Sequence, residues 1–190
     1  MGSPHLTLAS ASPRRRELLG RLGLMPDAVS PADIDETPLP GELPRAYALR
    51  MGREKALAVD APGHVLAGDT VVAVGRRILP KTETQTQARV CLALMSGRRH
   101  QVLSSVVLRA PDGDLRTRLS ETVVHFKRLS HEEIAAYLAS DEWRGKAGGY
   151  AIQGAAEGLI EWIRGSHSGV MGLPLYETRA LLKAAGFSIG

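Results

Sequence analysis

Short apolar runs typical of β-strands alternate along this chain with longer segments in which apolar residues recur every three or four positions. The second spacing places apolar side chains on one face of a helix. Alternation of the two kinds of segment predicts an α/β fold. The predicted strands are residues 6–9, 65–67, 71–74, 102–108, 122–126 and 159–163. The predicted helices are residues 13–22, 44–59, 85–95, 131–139 and 174–185.

A turn signal joins two of the strand-like segments. Residues 101–109 and 115–127 flank Pro111-Asp112-Gly113-Asp114, and these residue types favour a tight turn. The two segments are therefore expected to form an antiparallel hairpin, which would make the sheet mixed. Another local signal lies before the fourth predicted helix, where Ser130 and Glu133 have the spacing of a capping box.

Composition indicates one folded domain. The 190 residues are 44% hydrophobic, 23% charged and 4% aromatic, and no repeat or low-complexity tract interrupts them. The longest apolar runs, such as residues 101–108, are far shorter than the ~20 residues that span a bilayer. We expect one domain over residues 1–190, a disordered N-terminus at residues 1–5 without a leader, and a cytoplasmic location.

Charge and cysteine content narrow the chemistry. Lysine and arginine total 24 against 20 acidic residues, and this net charge of +4 favours an anionic partner. Nucleic acid, nucleotide and phosphorylated metabolite all remain open. Cys91 is the single cysteine, which excludes an intramolecular disulfide and a cysteine zinc site. It shares the apolar face of the predicted helix 85–95 and is expected in the core.

The first candidate site is the passage from strand to helix at residues 6–16. Ser12 and Pro13 have the residue types of a helix N-cap and first helical position. The unpaired backbone N–H groups of such a helix start attract phosphate or carboxylate. Arg14, Arg15 and Arg16 lie in the first turn, where a cation opposes the helix dipole, so a bound polyphosphate would offset that cost. Alternatively, these arginines are solvated surface residues.

The second candidate is the strand-like segment 64–70. We expect the strand to end near Gly68, so that Asp69 and Thr70 lie at the edge of the sheet where α/β proteins bind ligands. A carboxylate there can hold a divalent cation or take a proton from water. The alternative is that Gly68-Asp69 is a turn between two hairpin strands.

Other charged residues are ambiguous by themselves. Asp33, Asp35 and Glu36 crowd a proline-rich loop, where a metal ion would relieve their repulsion, although solvated loop carboxylates are commoner. Lys55 and Lys81 are single lysines for which a surface position is the default.

Two glycine-rich segments complete the candidates. Residues 145–154 are rich in glycine and include Gln153 near their end. The Gln153 amide can both donate a hydrogen bond to a base edge and accept one from it. The alternative is a flexible loop in which the glutamine has a structural role. Residues 165–174 form a second glycine and serine loop that opens a helix, and thus a second candidate anion site. The six histidines are scattered, with no pair at metal-ligand spacing.

Together and in this order, these segments resemble the Maf family, the septum-formation-inhibitor-like nucleoside triphosphate pyrophosphatases. The resemblance runs from Leu6 to Gly186. Its strongest pieces are Ser10-Ala11-Ser12-Pro13-Arg14-Arg15, Arg53-Glu54-Lys55-Ala56, Ala67-Gly68-Asp69-Thr70, Leu94-Met95-Ser96-Gly97 with His100, Lys146-Ala147-Gly148 through Gln153-Gly154, and Val170 to Pro174.

The resemblance implies hydrolysis between the α- and β-phosphates of a nucleoside triphosphate with Mg²⁺ or Mn²⁺. It also implies an elongated mixed sheet with flanking helices, two lobes around a central cleft, and a homodimer. By family position, Asp69 is the catalytic base or a metal ligand, and Glu36 is a second metal ligand. The residues implied to face the phosphates are Ser10, Ser12, Arg14, Arg15, Lys55 and Lys81.

Within the resemblance, Arg15, Thr70 and Gln153 match the group that acts on dTTP and UTP. Relatives that act on 7-methyl-GTP carry lysine in place of Thr70 and glutamate in place of Gln153. Ionised glutamate only accepts hydrogen bonds, whereas an amide satisfies both the donor and the acceptors of uracil or thymine. These residues favour the pyrimidine substrates over 7-methyl-GTP.

The chain departs from the family pattern at Pro80-Lys81-Thr82, where relatives carry Lys-Pro, and at Gly145, where they carry aspartate. His167 and Gly169 replace the usual tyrosine and asparagine. These changes bear on base specificity more than on the reaction.

The competing hypothesis is a non-enzymatic regulator of cell division that binds nucleic acid or a partner. The low aromatic content gives little surface for stacking bases, so nucleic acid is not the expected partner.

Overall fold

The computed structural model describes residues 4–189. Its strands are β1 (Leu6–Leu8), β2 (Ala28–Val29), β3 (His64–Val74), β4 (Arg77–Leu79), β5 (Arg99–Arg109), β6 (Leu115–Phe126) and β7 (Ile160–Arg164). Its helices are α1 (Pro13–Gly20), α2 (Pro44–Ala58), α3 (Gln85–Met95), α4 (His131–Ala139), α5 (His167–Met171) and α6 (Leu175–Ala184), with a 3₁₀ helix at Ala155–Leu159. The predicted α/β class is confirmed. The two-residue β2, the three-residue β4, the 3₁₀ helix and the five-residue α5 were not predicted, because such short elements carry little periodic signal.

All seven strands form one sheet in the order β2-β1-β3-β5-β6-β7, with β4 also paired to β3. The sheet is mixed, as predicted: β1 is parallel to β2 and β3, and the other pairs are antiparallel. The predicted hairpin is confirmed as β5 and β6, which pair from Arg99↔His125 to Arg109↔Leu115.

Helices pack on both faces of the sheet. On one face, Ala56 of α2 packs against Val65 and Ala67 of β3. On the other, Leu66 and Val72 join the large core to which α3 contributes Leu92. Cys91 is buried in that core as expected, and burial raises the pKa of its thiol. The capping box of Ser130 and Glu133 is present at the start of α4.

The sheet corrects the predicted position of Asp69. Gly68 and Asp69 neither end a strand nor form a turn, because β3 runs unbroken from His64 to Val74. Its partner β5 is in register from Val65↔Arg109 to Ala73↔Gln101, which carries the strand through the glycine.

The opposite edge of β3 has a gap, and this gap positions the site. Strand β1 pairs only with residues 64–66 of β3, and β4 pairs only with residues 72–74. In the described part of the chain, residues 67–71 therefore have no neighbouring strand on that side. Because successive side chains point to opposite faces, groups from both faces are within reach of this gap.

Two expectations concern the ends and the membrane. Of the expected disordered N-terminus, residues 1–3 lie outside the described residues. His5 has partners: its carbonyl accepts a hydrogen bond from the His64 N–H at 2.9 Å. No helix within residues 4–189 is both long enough and apolar enough to cross a bilayer.

Candidate active site

A cleft of about 440 Å³ lies at the gap in the edge of β3. The β1–α1 connection forms one wall and the segment after β4 faces it. All ten residues expected at the site line it. They are Ser10, Ser12, Arg14, Arg15, Glu36, Lys55, Asp69, Thr70, Lys81 and Gln153.

Two carboxylates meet one ammonium group at the bottom of the cleft. Lys55 Nζ of α2 lies 2.6 Å from Asp69 Oδ1 of β3 and 2.8 Å from Glu36 Oε1. Lys81 also donates a hydrogen bond to Glu36. The side chains of Lys55 and Asp69 are 7% and 5% exposed. The default surface position for Lys55 is therefore wrong, because its ammonium group is buried against the carboxylates of Asp69 and Glu36.

Helix α2 also holds the loop that carries Glu36. The Tyr47 hydroxyl donates to the Glu36 carbonyl at 2.7 Å, and Arg50 Nη2 donates to the Thr37 carbonyl at 3.1 Å. Burial raises the pKa of Tyr47 to about 12, so the hydroxyl stays protonated and can donate. Arg50 also binds Glu42 through two hydrogen bonds, at 2.8 and 2.7 Å.

Glu36 is held in its charged form. Burial alone would raise its pKa, but hydrogen bonds from Lys55 and Lys81 outweigh this effect, and the pKa lies below its ordinary value.

Asp33 and Asp35 do not line the cleft. Both are exposed, and Asp35 Oδ1 accepts a hydrogen bond from the Thr37 N–H at 2.8 Å.

The wall formed by the β1–α1 connection continues into the start of α1. Ser12 is the N-cap residue and Pro13 the first helical residue, as predicted, but the Ser12 side chain makes no capping hydrogen bond. Instead the Ser12 N–H donates to Ser10 Oγ at 3.2 Å. Arg15 also donates to Ser10 Oγ at 3.0 Å and, through Nε, to the Gly172 carbonyl at 2.8 Å.

Burial affects the guanidinium groups of this wall. It lowers the pKa of Arg15, while the negative charges of Asp69 and Glu36 oppose the effect. Burial likewise lowers the pKa of Arg14. Arginine remains protonated even so, so both side chains bring positive charge to the cleft.

The segment after β4 is hydrogen-bonded directly to the glycine-rich loop. Lys81 pairs with Ala147 as an isolated bridge, and the Thr82 N–H donates to the Lys146 carbonyl at 3.1 Å. The Thr82 hydroxyl donates to the Trp143 carbonyl at 2.7 Å. A proline at position 82 would have neither donor, so this departure from the family pattern adds two hydrogen bonds between the segment after β4 and residues 143–146.

Some lining residues were not expected. Arg144 carries no local signal in the sequence, whereas Lys146 and Tyr150 lie in the glycine-rich segment that drew attention to Gln153. Burial lowers the pKa of Lys146, and the charge of nearby Arg14 adds to this effect. Because Arg144 and Lys146 line it, the cleft has two more basic side chains than predicted.

The second candidate anion site is not formed as expected. Ser166 Oγ accepts from the Gly169 N–H at 3.0 Å, and Ser168 Oγ accepts from the Leu175 N–H at 3.0 Å. These serines cap α5 and the start of α6 instead of facing the cleft. The loop contributes only Val170, Met171 and Gly172 to the lining.

The two carboxylates of the cleft can be tested against the ligands that a divalent cation requires. Among residues 4–189 there is no cluster of three or more histidine, cysteine, aspartate or glutamate side chains able to hold a metal. Asp69 and Glu36 already converge on one positive charge, that of Lys55. Mg²⁺ is commonly held by one or two carboxylates, with phosphate oxygens and water completing its shell. The donor set fits such an ion.

Comparison with known proteins identifies the relatives of this chain. A family model described as Maf-like protein matches residues 5–185. A dTTP/UTP pyrophosphatase of Novosphingobium aromaticivorans is 63% identical, with 98% of this chain and 94% of that protein covered. That of Rhodospirillum rubrum is 60% identical, with 97% and 90% covered.

Among solved structures, a HAM1 protein from Coxiella burnetii has a TM-score of 0.48 at 16% identity, with 95% of this chain and 98% of that chain covered. The family match extends over nearly all of the described chain, and the sequence relatives are about 60% identical to it. The chain therefore belongs to the Maf family.

Proposed function

We propose that this protein hydrolyses UTP and dTTP between the α- and β-phosphates, releasing the nucleoside monophosphate and pyrophosphate. The relatives that are about 60% identical to it are dTTP/UTP pyrophosphatases. The observation that carries the proposal is the meeting of Asp69 and Glu36 on Lys55 inside a cationic cleft.

The positive charges suit a polyphosphate. A nucleoside triphosphate carries up to about four negative charges, and its cleavage leaves a charged pyrophosphate that must be stabilised. Arg14, Arg15, Lys81 and Lys146 line the cleft, and the start of α1 adds backbone N–H groups. Fixed positive groups that meet the developing charge give the largest part of catalysis in such reactions.

Asp69 is proposed as the base. Water attacks phosphorus, the phosphoanhydride P–O bond breaks, and the proton of the water passes to the Asp69 carboxylate. Lys55 fixes this carboxylate through the 2.6 Å contact to Oδ1. The buried position of Asp69 leaves it little freedom to turn away from the attacking water.

Asp69 and Glu36 are proposed to hold the divalent metal. A bound Mg²⁺ or Mn²⁺ would supply positive charge to the phosphate oxygens and lower the pKa of bound water. Ser10, Ser12 and Lys55 complete the proposed phosphate-binding set, while Arg15, Thr70 and Gln153 are proposed to select the base. Gln153 is exposed at the rim of the cleft, where its amide can meet a base edge.

The homodimer and the cytoplasmic location stay predictions that rest on the resemblance and the sequence. Sedimentation of the purified chain would measure the first, and fractionation of cells would measure the second.

The experiment that tests the proposal is pyrophosphate release from a panel of canonical and modified nucleoside triphosphates with Mg²⁺ or Mn²⁺. We expect UTP and dTTP to be the preferred substrates. Asp69→Asn keeps the size of the side chain, and we expect it to lower kcat by about a thousandfold or more while the fold is retained, as checked by thermal melting.

Each contrary result has a clear meaning. Preferential cleavage of 7-methyl-GTP would keep the reaction and overturn the base specificity. Wild-type turnover by a folded Asp69→Asn protein would exclude Asp69 as the base. No cleavage of any nucleotide would favour the binding regulator, which a steep salt dependence of nucleic-acid binding would then reveal.

A further inference from the structure

The side chain of Arg50 connects α2 to the loop between β2 and α2. Arg50 Nε and Nη2 donate to the two carboxylate oxygens of Glu42, at 2.8 and 2.7 Å. Nη2 also donates to the Thr37 carbonyl at 3.1 Å, and Nη1 lies 3.3 Å from both carboxylate oxygens of Glu54. All three nitrogen atoms of the guanidinium group therefore bind other residues of the chain. Arg50 is not among the residues that line the cleft.

Glu42 extends this contact to the backbone of the loop. Its Oε2 accepts a hydrogen bond from the Leu39 N–H at 3.0 Å, and its own N–H donates to the Leu39 carbonyl at 3.0 Å. The side chains of Arg50 and Glu42 are 22% and 8% exposed. A bidentate pair of arginine and carboxylate is stronger and more directional than most ion pairs, and partial burial reduces its screening by salt. The pair therefore holds the loop against α2.

Two consecutive carbonyl groups of the loop are hydrogen-bonded to α2. Tyr47 donates to the Glu36 carbonyl at 2.7 Å, one residue before the Thr37 carbonyl that Arg50 binds. Tyr47 and Arg50 are three positions apart, which places them on one face of the helix. The guanidinium carbon of Arg50 lies 5.5 Å from the centre of the Tyr47 ring. Fixed carbonyl groups restrict the backbone dihedral angles beside them, so the direction of the Cα–Cβ bond of Glu36 is constrained.

Regular secondary structure does not position Glu36. Residues 30–43 contain no helix or strand, and the Glu36 side chain is 34% exposed. Its carboxylate nevertheless reaches Lys55 Nζ at 2.8 Å and also pairs with Lys81. A carboxylate that takes part in a catalytic site must be held to within about 0.5 Å by the groups around it. Hydrogen bonds from residues outside the site commonly supply this constraint for the ligands of a metal.

We propose that Arg50 and Glu42 are positioning residues that hold the Glu36 carboxylate in place at the bottom of the cleft. The inference rests on the proposed function, in which Glu36 and Asp69 hold the divalent metal. It assigns a part in the reaction to two charged residues that do not line the cleft themselves. The loss of either residue should weaken the site for the metal and leave the binding of the nucleotide base unchanged.

The first test is the metal requirement of Arg50→Met, which keeps a long unbranched stem and removes all the donors. The free Mg²⁺ concentration for half-maximal kcat with UTP should rise about tenfold. The KM for UTP at saturating Mg²⁺ should change by less than about threefold. The matched control is Arg45→Met on the same helix, because Arg45 pairs with Glu121 of β6. Its Mg²⁺ requirement should stay within about twofold of the wild type.

A double-mutant cycle separates positioning from a general loss of structure. Glu36→Gln removes the charge that Arg50 is proposed to position. Adding Arg50→Met to Glu36→Gln should therefore change the Mg²⁺ requirement by less than about twofold, although the same change costs about tenfold in the wild type. A merely structural role of Arg50 would cost the same factor in both backgrounds.

Two measurements do not depend on turnover. Amide hydrogen exchange at Leu39 should be faster by about tenfold in Arg50→Met than in the wild type or Arg45→Met, because the loop opens more often. Binding of Mn²⁺ can be followed by electron paramagnetic resonance in the presence of a UTP analogue with a methylene group between the α- and β-phosphorus atoms. Its affinity should fall about tenfold in Arg50→Met. If Arg50→Met does not fold, Glu42→Gln should change both readouts in the same direction.

An unchanged Mg²⁺ requirement in folded Arg50→Met would overturn the inference and leave the proposed function intact. Equal losses in the two backgrounds of the cycle would do the same. Failure of the wild-type chain to cleave any nucleotide, together with Mn²⁺ binding that Arg50→Met weakens and Arg45→Met does not, would instead overturn the proposed reaction alone.

Discussion

Lys55 Nζ lies 2.6 Å from Asp69 Oδ1, and both side chains are almost completely buried between α2 and β3. The same ammonium contacts Glu36 at 2.8 Å. Two carboxylates from separate segments thus share one positive charge that is shielded from water, and Glu36 also pairs with the more exposed Lys81. A buried charge that loses its partner is far more costly than a surface charge that does so.

Replacing Lys55 with methionine should therefore destabilise the protein. Lys55→Met keeps the unbranched stem but leaves Asp69 and Glu36 facing each other, and we expect a loss of about 3–5 kcal/mol in the free energy of unfolding. Urea denaturation at neutral pH measures it. Millimolar Mg²⁺ should raise the Tm of this variant more than that of the wild type.

The double variant Lys55→Met with Asp69→Asn is the control, because it removes the charge that lost its partner. It should recover part of the stability lost in Lys55→Met. Equal stability of the wild type and Lys55→Met would mean that the contact contributes nothing to the fold.

The base specificity should shift when two cleft residues are exchanged together. Thr70→Lys combined with Gln153→Glu replaces an amide by a carboxylate that only accepts hydrogen bonds, which suits the donor-rich edge of 7-methylguanine. We expect the ratio of kcat/KM for UTP over 7-methyl-GTP to fall by about tenfold or more. Each single variant serves as a control, and an unchanged ratio in the double variant would refute the assignment.

Acid should destabilise the protein through His100. His100 Nε2 lies 2.8 Å from the Tyr150 hydroxyl, and its buried Nδ1 has no hydrogen-bond partner. Burial lowers the pKa of His100 to about 4, with the charge of His125 as a smaller cause. The unfolded chain, with an ordinary histidine pKa near 6.5, therefore binds the proton more tightly than the folded one.

This difference contributes stability above pH ~6.5, and the contribution is lost as the pH falls toward ~4, by on the order of 3 kcal/mol. Urea midpoints measured across this range test it. In His100→Gln, which retains a polar group near Tyr150, the dependence on pH should be shallower. Identical pH profiles for the two proteins would show that another group causes the acid sensitivity.

Two glycines of one loop should respond differently to alanine. Gly148 has a φ of 68°, and a Cβ atom there would lie 2.8 Å from Val72 Cγ1. Gly145 has a φ of 64°, but no atom lies within 4 Å of a Cβ atom at that position. Both substitutions strain the backbone, and only Gly148→Ala also overpacks the core.

We expect a loss of about 3 kcal/mol for Gly148→Ala and about 1 kcal/mol for Gly145→Ala. Thermal or urea denaturation compares them directly. Because the loop carries Lys146 to the cleft, Gly148→Ala should also reduce turnover more than Gly145→Ala does. Equal losses in the two variants would indicate that the contact with Val72 relaxes without cost.

Local patterns predicted the elements best where their signals lie within one segment. Helices α3 and α4 have the predicted bounds, because an apolar face defines each one and a capping box marks the start of α4. The β5–β6 hairpin was predicted from the turn residues between its strands. Asp69 was misplaced because Gly68 suggests a break, whereas pairing with β5 carries the strand through it.

The sequence by itself determined the α/β class, the helix and hairpin positions, the family, and the chemical groups available to the site. Only the tertiary structure decided that β3 has an open edge at residues 67–71, that Lys55 is buried between two carboxylates, and that Arg50 binds the loop that carries Glu36. The physical reason is the separation along the sequence of the residues that interact. Capping and periodicity act between residues a few positions apart, whereas these contacts join segments that are distant in the chain and meet only when the sheet pairs and the helices pack on it.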